Sequence, residues 1–81
     1  MDLTIEYEYK PHGALLVHSG GIKEDQVGAW RPLVFQIGPG KYQSGVIRKA
    51  KGAKPVLHRA ILDDLSFARH VAEELARLAA A

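Results

Sequence analysis

Residues 63–79 read DDLSFARHVAEELARLA, and this stretch decides the fold because its apolar residues recur with the period of an α-helix. Asp63 or Asp64 can cap the first turn, since a carboxylate there accepts hydrogen bonds from unpaired amides at the positive end of the helix dipole. The sequence therefore predicts a helix over about 64–79. Its apolar stripe needs a partner surface, and in so short a chain that surface is one face of a β-sheet.

Upstream of the helix, the sequence changes to the alternating pattern of β-strands. Strands are predicted at about 3–9, 14–18, 33–37, 43–50 and 55–61. The turn formers Pro11 and Gly13 predict a hairpin between the first two of these strands. Because the second strand, 14–18, is apolar on both faces, we expect it inside the sheet or under other chain rather than at an exposed edge.

Residues 19–31 lack a sustained period and are predicted to form the longest loop, at whose end Trp30 packs onto the core. Together the segments predict a single α+β domain over residues 1–81. In it, an antiparallel sheet of four to five strands, arranged as two hairpins or a meander, packs in two layers on one C-terminal helix. The chain has no cysteine and no apolar stretch of membrane-spanning length, so we expect a cytoplasmic protein without disulfides or membrane contact.

Positive charge is concentrated in one segment, although the formal net charge of the chain is only +2. Residues 41–59 contain six basic residues and no acidic one, whereas residues 1–25 sum to −3 and residues 63–81 to −2. Several of these bases flank the predicted turn around Gly52. The tip of a hairpin built from this segment would therefore project positive charge away from the sheet.

The first functional hypothesis is a small non-catalytic binding domain that contacts the phosphates of DNA or RNA through this basic hairpin. Cationic side chains that neutralise phosphates release counterions, so such binding is sensitive to salt. The residues predicted to form the nucleic-acid-binding site are Lys41, Tyr42, Arg48, Lys49, Lys51, Lys54 and Arg59.

The second hypothesis is a protein-interaction module or homodimer. Its sheet edges would pair with a partner, and the acidic first strand with Glu6 and Glu8 would face the basic hairpin of another subunit. Such association would persist without nucleic acid. Lysines at a hairpin tip also have a simpler explanation that requires no partner, because they keep a strand edge soluble.

The four histidines do not have the spacing of a metal site, since no two lie at i and i+2 on a strand or at i and i+4 on the helix. His12 and His70 are expected at the surface. His18 and His58 are expected in strands, each with a local hydrogen-bond partner. The sequence therefore predicts neither a metal nor a cofactor.

No group of residues supplies a nucleophile, a base and oxyanion donors together, so the sequence predicts no enzyme and no small-molecule substrate. The stretch Gly38–Lys41 invites comparison with phosphate-binding loops. However, Pro39 has no amide to donate and a strand follows instead of a helix, so a hairpin turn explains these residues.

Overall fold

A computed structural model describes residues 7–9 and 13–81 of the chain. The elements in chain order are β1 (Tyr7–Tyr9), β2 (Leu15–Ser19), β3 (Lys23–Asp25), β4 (Gly28–Gly38), β5 (Lys41–Arg48), β6 (Val56–His58) and α1 (Leu65–Ala80). The predicted α+β class is confirmed, because an antiparallel sheet packs on a single C-terminal helix. Among the described residues, no helix combines the length and the apolar character that crossing a bilayer requires.

The strands lie in the order β1-β6-β5-β4-β2, and β3 pairs with β4 next to β2. The predicted hairpin between the first two strands is therefore wrong. Tyr7 pairs with His58 at one edge of the sheet, whereas Leu16 pairs with Phe35 near the other. An alternating pattern indicates which face of a strand is buried but not which strand lies beside it. Residues 3–6 of the predicted first strand and 10–12 of its turn lie outside the described residues.

β2 is an edge strand, contrary to the expectation that its two apolar faces would be covered. Within the described part of the chain it pairs only with β4. Leu15 remains 65% exposed and Leu16 54% exposed.

The predicted loop over 19–31 contains a hairpin, so this prediction is wrong for most of its length. β3 and the start of β4 pair from Lys23 opposite Trp30 to Asp25 opposite Gly28. Gly28 has a φ of 155°, a conformation that favours glycine at the end of a tight turn. At the tip, the Val27 amide donates to the carbonyl oxygen of Ala80 at 2.8 Å, which ties the hairpin to the last turn of α1.

The main core lies between the sheet and α1. Val34 and Val46 from the sheet are fully buried against the helix, whose buried residues are Ala68, Val71, Ala72, Leu75, Ala76 and Ala80. Trp30 packs on this core, as predicted. The helix begins after Asp64, whose Oδ2 accepts a hydrogen bond from the amide of Phe67 at 2.9 Å. A second buried cluster of Leu33, Phe35 and Leu57 includes alternate residues of β4 and thus lies on the other face of the sheet.

Candidate nucleic-acid interface

Three basic residues lie together where β5 ends and the connection to β6 begins. Arg48 is the last residue of β5, and Lys49 and Lys51 follow it in the loop that joins the two antiparallel strands. The Lys49 amide donates to the carbonyl oxygen of Ala29 at 2.8 Å, so this end of the loop is fixed to the neighbouring strand. Gly52 has a φ of 76°, which lets the chain turn back toward β6.

A groove of about 380 Å³ lies beside this loop. Arg31 of β4 lines it together with the three basic residues, and Ile22, Ile47 and Ala50 supply the apolar part. Of the described residues that line the groove, none carries a carboxylate. Within the described chain, Arg48, Lys49 and Lys51 form no ion pair with a carboxylate either. Among the residues that the structure describes, the groove is therefore a cationic surface whose charges are not neutralised by neighbouring acids.

Arg31 is the member of this groove that the sequence hypothesis did not include. It lies opposite Ile47 in the β4–β5 register and donates through Nη1 to the carbonyl oxygen of Gly20 at 2.7 Å. This hydrogen bond fixes one end of the guanidinium. Counting back from the Gly38–Lys41 turn would not have given this register, because an irregularity between Gln36 and Gly38 shifts the pairing by one residue.

The predicted site residues do not form one group. Lys41 and Tyr42 begin β5, and at 3.3 Å per residue Lys41 lies roughly 23 Å along the strand from Arg48. Tyr42 is half-buried against the core around Val34 and Ala72, so it is not presented as a platform on which bases could stack. Arg59 follows β6 and lies toward that same distant end.

Lys54 remains near the groove, since it lies in the exposed loop that contains Lys49 and Lys51. Of the seven predicted residues, the structure thus gathers four at one end of the β5–β6 hairpin, namely Arg48, Lys49, Lys51 and Lys54. The remaining three lie toward the other end of that hairpin.

The histidines follow their predictions in part. His58 is buried, and its Nδ1 accepts a hydrogen bond from the amide of Ala60 at 3.3 Å, so its predicted local partner is confirmed. His18 lies in β2 as predicted, but its predicted hydrogen-bond partner is wrong, because Nε2 is buried without one. His70 is exposed as expected, and His12 lies outside the described residues. No three potential ligands among the described His, Asp and Glu residues are grouped to hold a metal ion.

The groove combines two guanidinium groups and two ammonium groups with aliphatic side chains. Guanidinium and ammonium groups can donate charge-assisted hydrogen bonds to anionic oxygens such as those of phosphates. None of the described residues that line the groove is aromatic. Comparisons of the chain with protein-family models, with curated proteins and with solved structures found no match.

Proposed function

We propose that this protein is a small non-catalytic domain that binds the phosphate backbone of nucleic acid in the groove beside the end of β5. The observation that supports the proposal is that Arg31, Arg48, Lys49 and Lys51 line one groove without a carboxylate among them. Lys54 lies in the same exposed loop. In the absence of cysteine we also infer a cytoplasmic location.

The groove favours binding to the backbone rather than recognition of bases. Its apolar residues are aliphatic, Ile22 and Ile47, so stacking on exposed bases is not available there. Contacts to phosphates position a nucleic acid but carry no sequence information. We therefore expect sequence-independent binding that weakens steeply with salt, because each neutralised phosphate releases condensed counterions.

The test is a titration with duplex DNA and with RNA of the same length at about 50 mM and about 200 mM salt. The double variant Lys49→Ala/Lys51→Ala should bind more weakly, and the slope of log K against log salt should be shallower by about two. The matched control is Lys41→Ala/Arg77→Ala, which also removes two positive charges but away from the groove. It should retain affinity close to that of the wild type.

Two results would reject the proposal. One is the absence of binding to either nucleic acid at low salt. The other is an equal loss in both double variants, because the net charge of the protein rather than the groove would then account for the interaction.

A second candidate function is self-association, favoured by the exposed apolar edge of β2. Leu15 and Leu16 present large apolar surfaces on a strand that, within the described chain, pairs on one side only. Such an edge is a template for β-pairing, and an antiparallel pair of β2 strands about a two-fold axis would form each contact twice. Glu6 and the side chain of Glu8, the acidic groups of the earlier hypothesis, lie outside the described part.

Sedimentation of nuclease-treated protein tests this second function. The wild type should form a dimer, and Leu16→Lys should be a monomer because it places a charge in the pairing edge. Ile61→Lys is the control, since Ile61 is 53% exposed but lies outside β2. A wild type that stays monomeric at high concentration excludes the dimer and leaves the nucleic-acid proposal unaffected.

A further inference from the structure

Arg31 lines the groove beside the end of β5 with a guanidinium that is already held on one side. Its Nη1 donates to the carbonyl oxygen of Gly20 at 2.7 Å, and this hydrogen bond is partly buried. A guanidinium has five N–H donors in a rigid plane, so one bond to a carbonyl restrains the plane and leaves other donors for a ligand. The direction of those donors therefore depends on where the Gly20 carbonyl lies.

The backbone of Gly20 is enclosed between β4 and α1. Its amide donates to the carbonyl oxygen of Pro32 at 3.0 Å, which joins it to β4 one residue after Arg31. Toward the helix, a Cβ built on Gly20 would overlap Oε2 of Glu73. The same Cβ would lie 2.7 Å from Cγ of Pro32 and 3.2 Å from Nε2 of His18. No side chain fits at this position without a shift of its surroundings.

A side chain at position 20 would displace the backbone rather than its neighbours. The carboxylate of Glu73 can rotate away, but the ring of Pro32 is fully buried in a close-packed interior and has no space into which to retreat. The Gly20 backbone would have to move, and its carbonyl oxygen would move with it. The φ of Gly20 lies outside the left-handed region, so the lack of space, not the backbone conformation, requires glycine here.

The segment that follows Gly20 forms part of the groove and is held from outside it. Ile22 lines the groove beside Arg31. Lys23, the first residue of β3, places its Nζ 2.7 Å from Oε1 of Glu73 on α1. The segment is thus attached to β4 at one end and to the helix at the other, which keeps the Gly20 carbonyl in place although it lies in a connection between strands.

We propose that Gly20 is a positioning residue of the groove, whose carbonyl oxygen orients the guanidinium of Arg31 toward a phosphate of the bound nucleic acid. This inference rests on the proposed function and adds to it a residue that does not line the groove. Arg31 contacts the phosphate, and Gly20 acts only through Arg31. A restrained guanidinium loses less side-chain freedom on binding than the exposed Lys49 and Lys51 do.

NMR of the arginine side chains tests the positioning without nucleic acid. In the wild type, the Nη protons of Arg31 should be resolved, because the bond to the carbonyl slows rotation of the guanidinium. Gly20→Ala should abolish these resonances. Gly21→Ala is the matched control and should keep them, since a Cβ at Gly21 meets nothing within 4 Å. Averaged Arg31 resonances in the wild type, or resolved resonances in Gly20→Ala, overturn the proposal.

Titration with duplex DNA and with RNA of the same length, at about 50 mM salt, tests the consequence for binding. Gly20→Ala should weaken binding about tenfold, the effect of losing one charge-assisted hydrogen bond, and Gly21→Ala should have no effect. In a protein that already carries Arg31→Ala, the change Gly20→Ala should cause no further loss, because it acts through the arginine. An equal loss with and without Arg31 contradicts the proposal.

The variant Arg31→Lys makes the test independent of whether Gly20→Ala folds. Lysine keeps the positive charge but has no planar fork to reach the Gly20 carbonyl and a phosphate together. We expect Arg31→Lys to bind about tenfold more weakly than the wild type, with an unchanged circular dichroism spectrum. Wild-type affinity in this variant would show that charge alone is sufficient, and the positioning role would be wrong.

The outcomes separate this inference from the proposed function. If the wild type binds neither nucleic acid, the proposed function fails, and the role of Gly20 in binding fails with it. If the wild type binds and both Gly20→Ala and Arg31→Lys bind equally well, only the inference about Gly20 is rejected.

Discussion

The hydroxyl of Ser44 on β5 donates a hydrogen bond to the carbonyl oxygen of Ala68 on α1, at 2.5 Å, across the interface between the sheet and the helix. Ser44 is only 1% exposed and lies among apolar side chains, so its hydroxyl has no access to water. This bond fixes the helix along its axis as well as against the sheet, which apolar contacts alone do not do because they have no preferred direction.

Replacing Ser44 with alanine should lower the free energy of unfolding by about 1 kcal/mol, the net value of one buried hydrogen bond. Denaturant unfolding followed by circular dichroism measures this change. Ser19→Ala, at an exposed position of β2, is the control and should be close to neutral. A Ser44→Ala variant as stable as the wild type would show that the hydrogen bond contributes nothing to holding the helix.

Gly45 should not tolerate a side chain, because β5 and β6 approach each other too closely there. A Cβ on Gly45 would overlap the carbonyl oxygen of Val56 and lie 2.6 Å from Cδ2 of Leu57. We expect Gly45→Ala to cost about 1–3 kcal/mol of stability, as overpacking of a core does. Thermal or urea unfolding provides the measurement.

The control for this prediction is Gly21→Ala. A Cβ at Gly21 meets nothing within 4 Å, and its φ lies outside the left-handed region. Alanine restricts the backbone of the unfolded chain more than glycine does, so this variant should be as stable as the wild type or slightly more stable. Similar losses in both variants would mean that backbone freedom, not the contact with β6, determines the result.

Asp64 should stabilise the helix through its cap. Its Oδ2 accepts from the Phe67 amide, one of the helix donors that have no partner within the helix. Asp64→Ala should cost about 1 kcal/mol, and Asp63→Ala, which lies before the cap, should cost less. Chemical unfolding of both variants decides which aspartate caps the helix. A larger loss of stability in Asp63→Ala than in Asp64→Ala would contradict the assignment of Asp64 as the cap.

Glu74 should titrate at a lower pH than an ordinary glutamate. The hydrogen bond from Arg77 lowers the pKa of its carboxyl, partly opposed by desolvation. The pKa of Glu74 is lower in the folded state than in the unfolded state. The pair with Arg77 therefore stabilises the fold fully at pH values above the unfolded-state pKa. Its contribution is lost as the pH falls through the folded pKa. NMR titration of the Glu74 side chain should show the low pKa return toward its ordinary value in Arg77→Gln but not in Arg69→Gln.

The helix could be predicted from the sequence because its signals are local. The carboxylate of Asp64 and the apolar period that follows it both lie within a single segment, and α1 forms where they indicate. The start of β4 was hidden by Pro32, which ordinarily argues against a strand interior. The carbonyl oxygen of Pro32 accepts a hydrogen bond from the amide of Gly20, just past the end of β2. The nitrogen of a strand residue points to the same side as its carbonyl group, so the missing amide of Pro32 faces the gap between β2 and β3, where no strand needs it.

The residues of the candidate sites were harder to predict from the sequence than the helix was. Lys49 and Lys51 could be identified because they are close in sequence, whereas Arg31 joins them only through the register of β4 with β5. The close approach of Gly20 to Glu73 could not be predicted, since it needs one particular stripe of α1 to lie over the end of β2. Contacts between distant segments depend on strand order, and an alternating pattern does not determine strand order.

The pairing of β1 with β6 also has a kinetic consequence. Tyr7 and His58 are separated by about fifty residues, so their pairing closes a long loop at a cost in chain entropy. The pairing of β4 with β5 has a smaller entropic cost, because a short turn joins these two strands. β1 has no place to bind until β6 has joined β5. We expect the amino-terminal strand to be added last during refolding, so pulsed hydrogen exchange should protect its amides after those of β4 and β5.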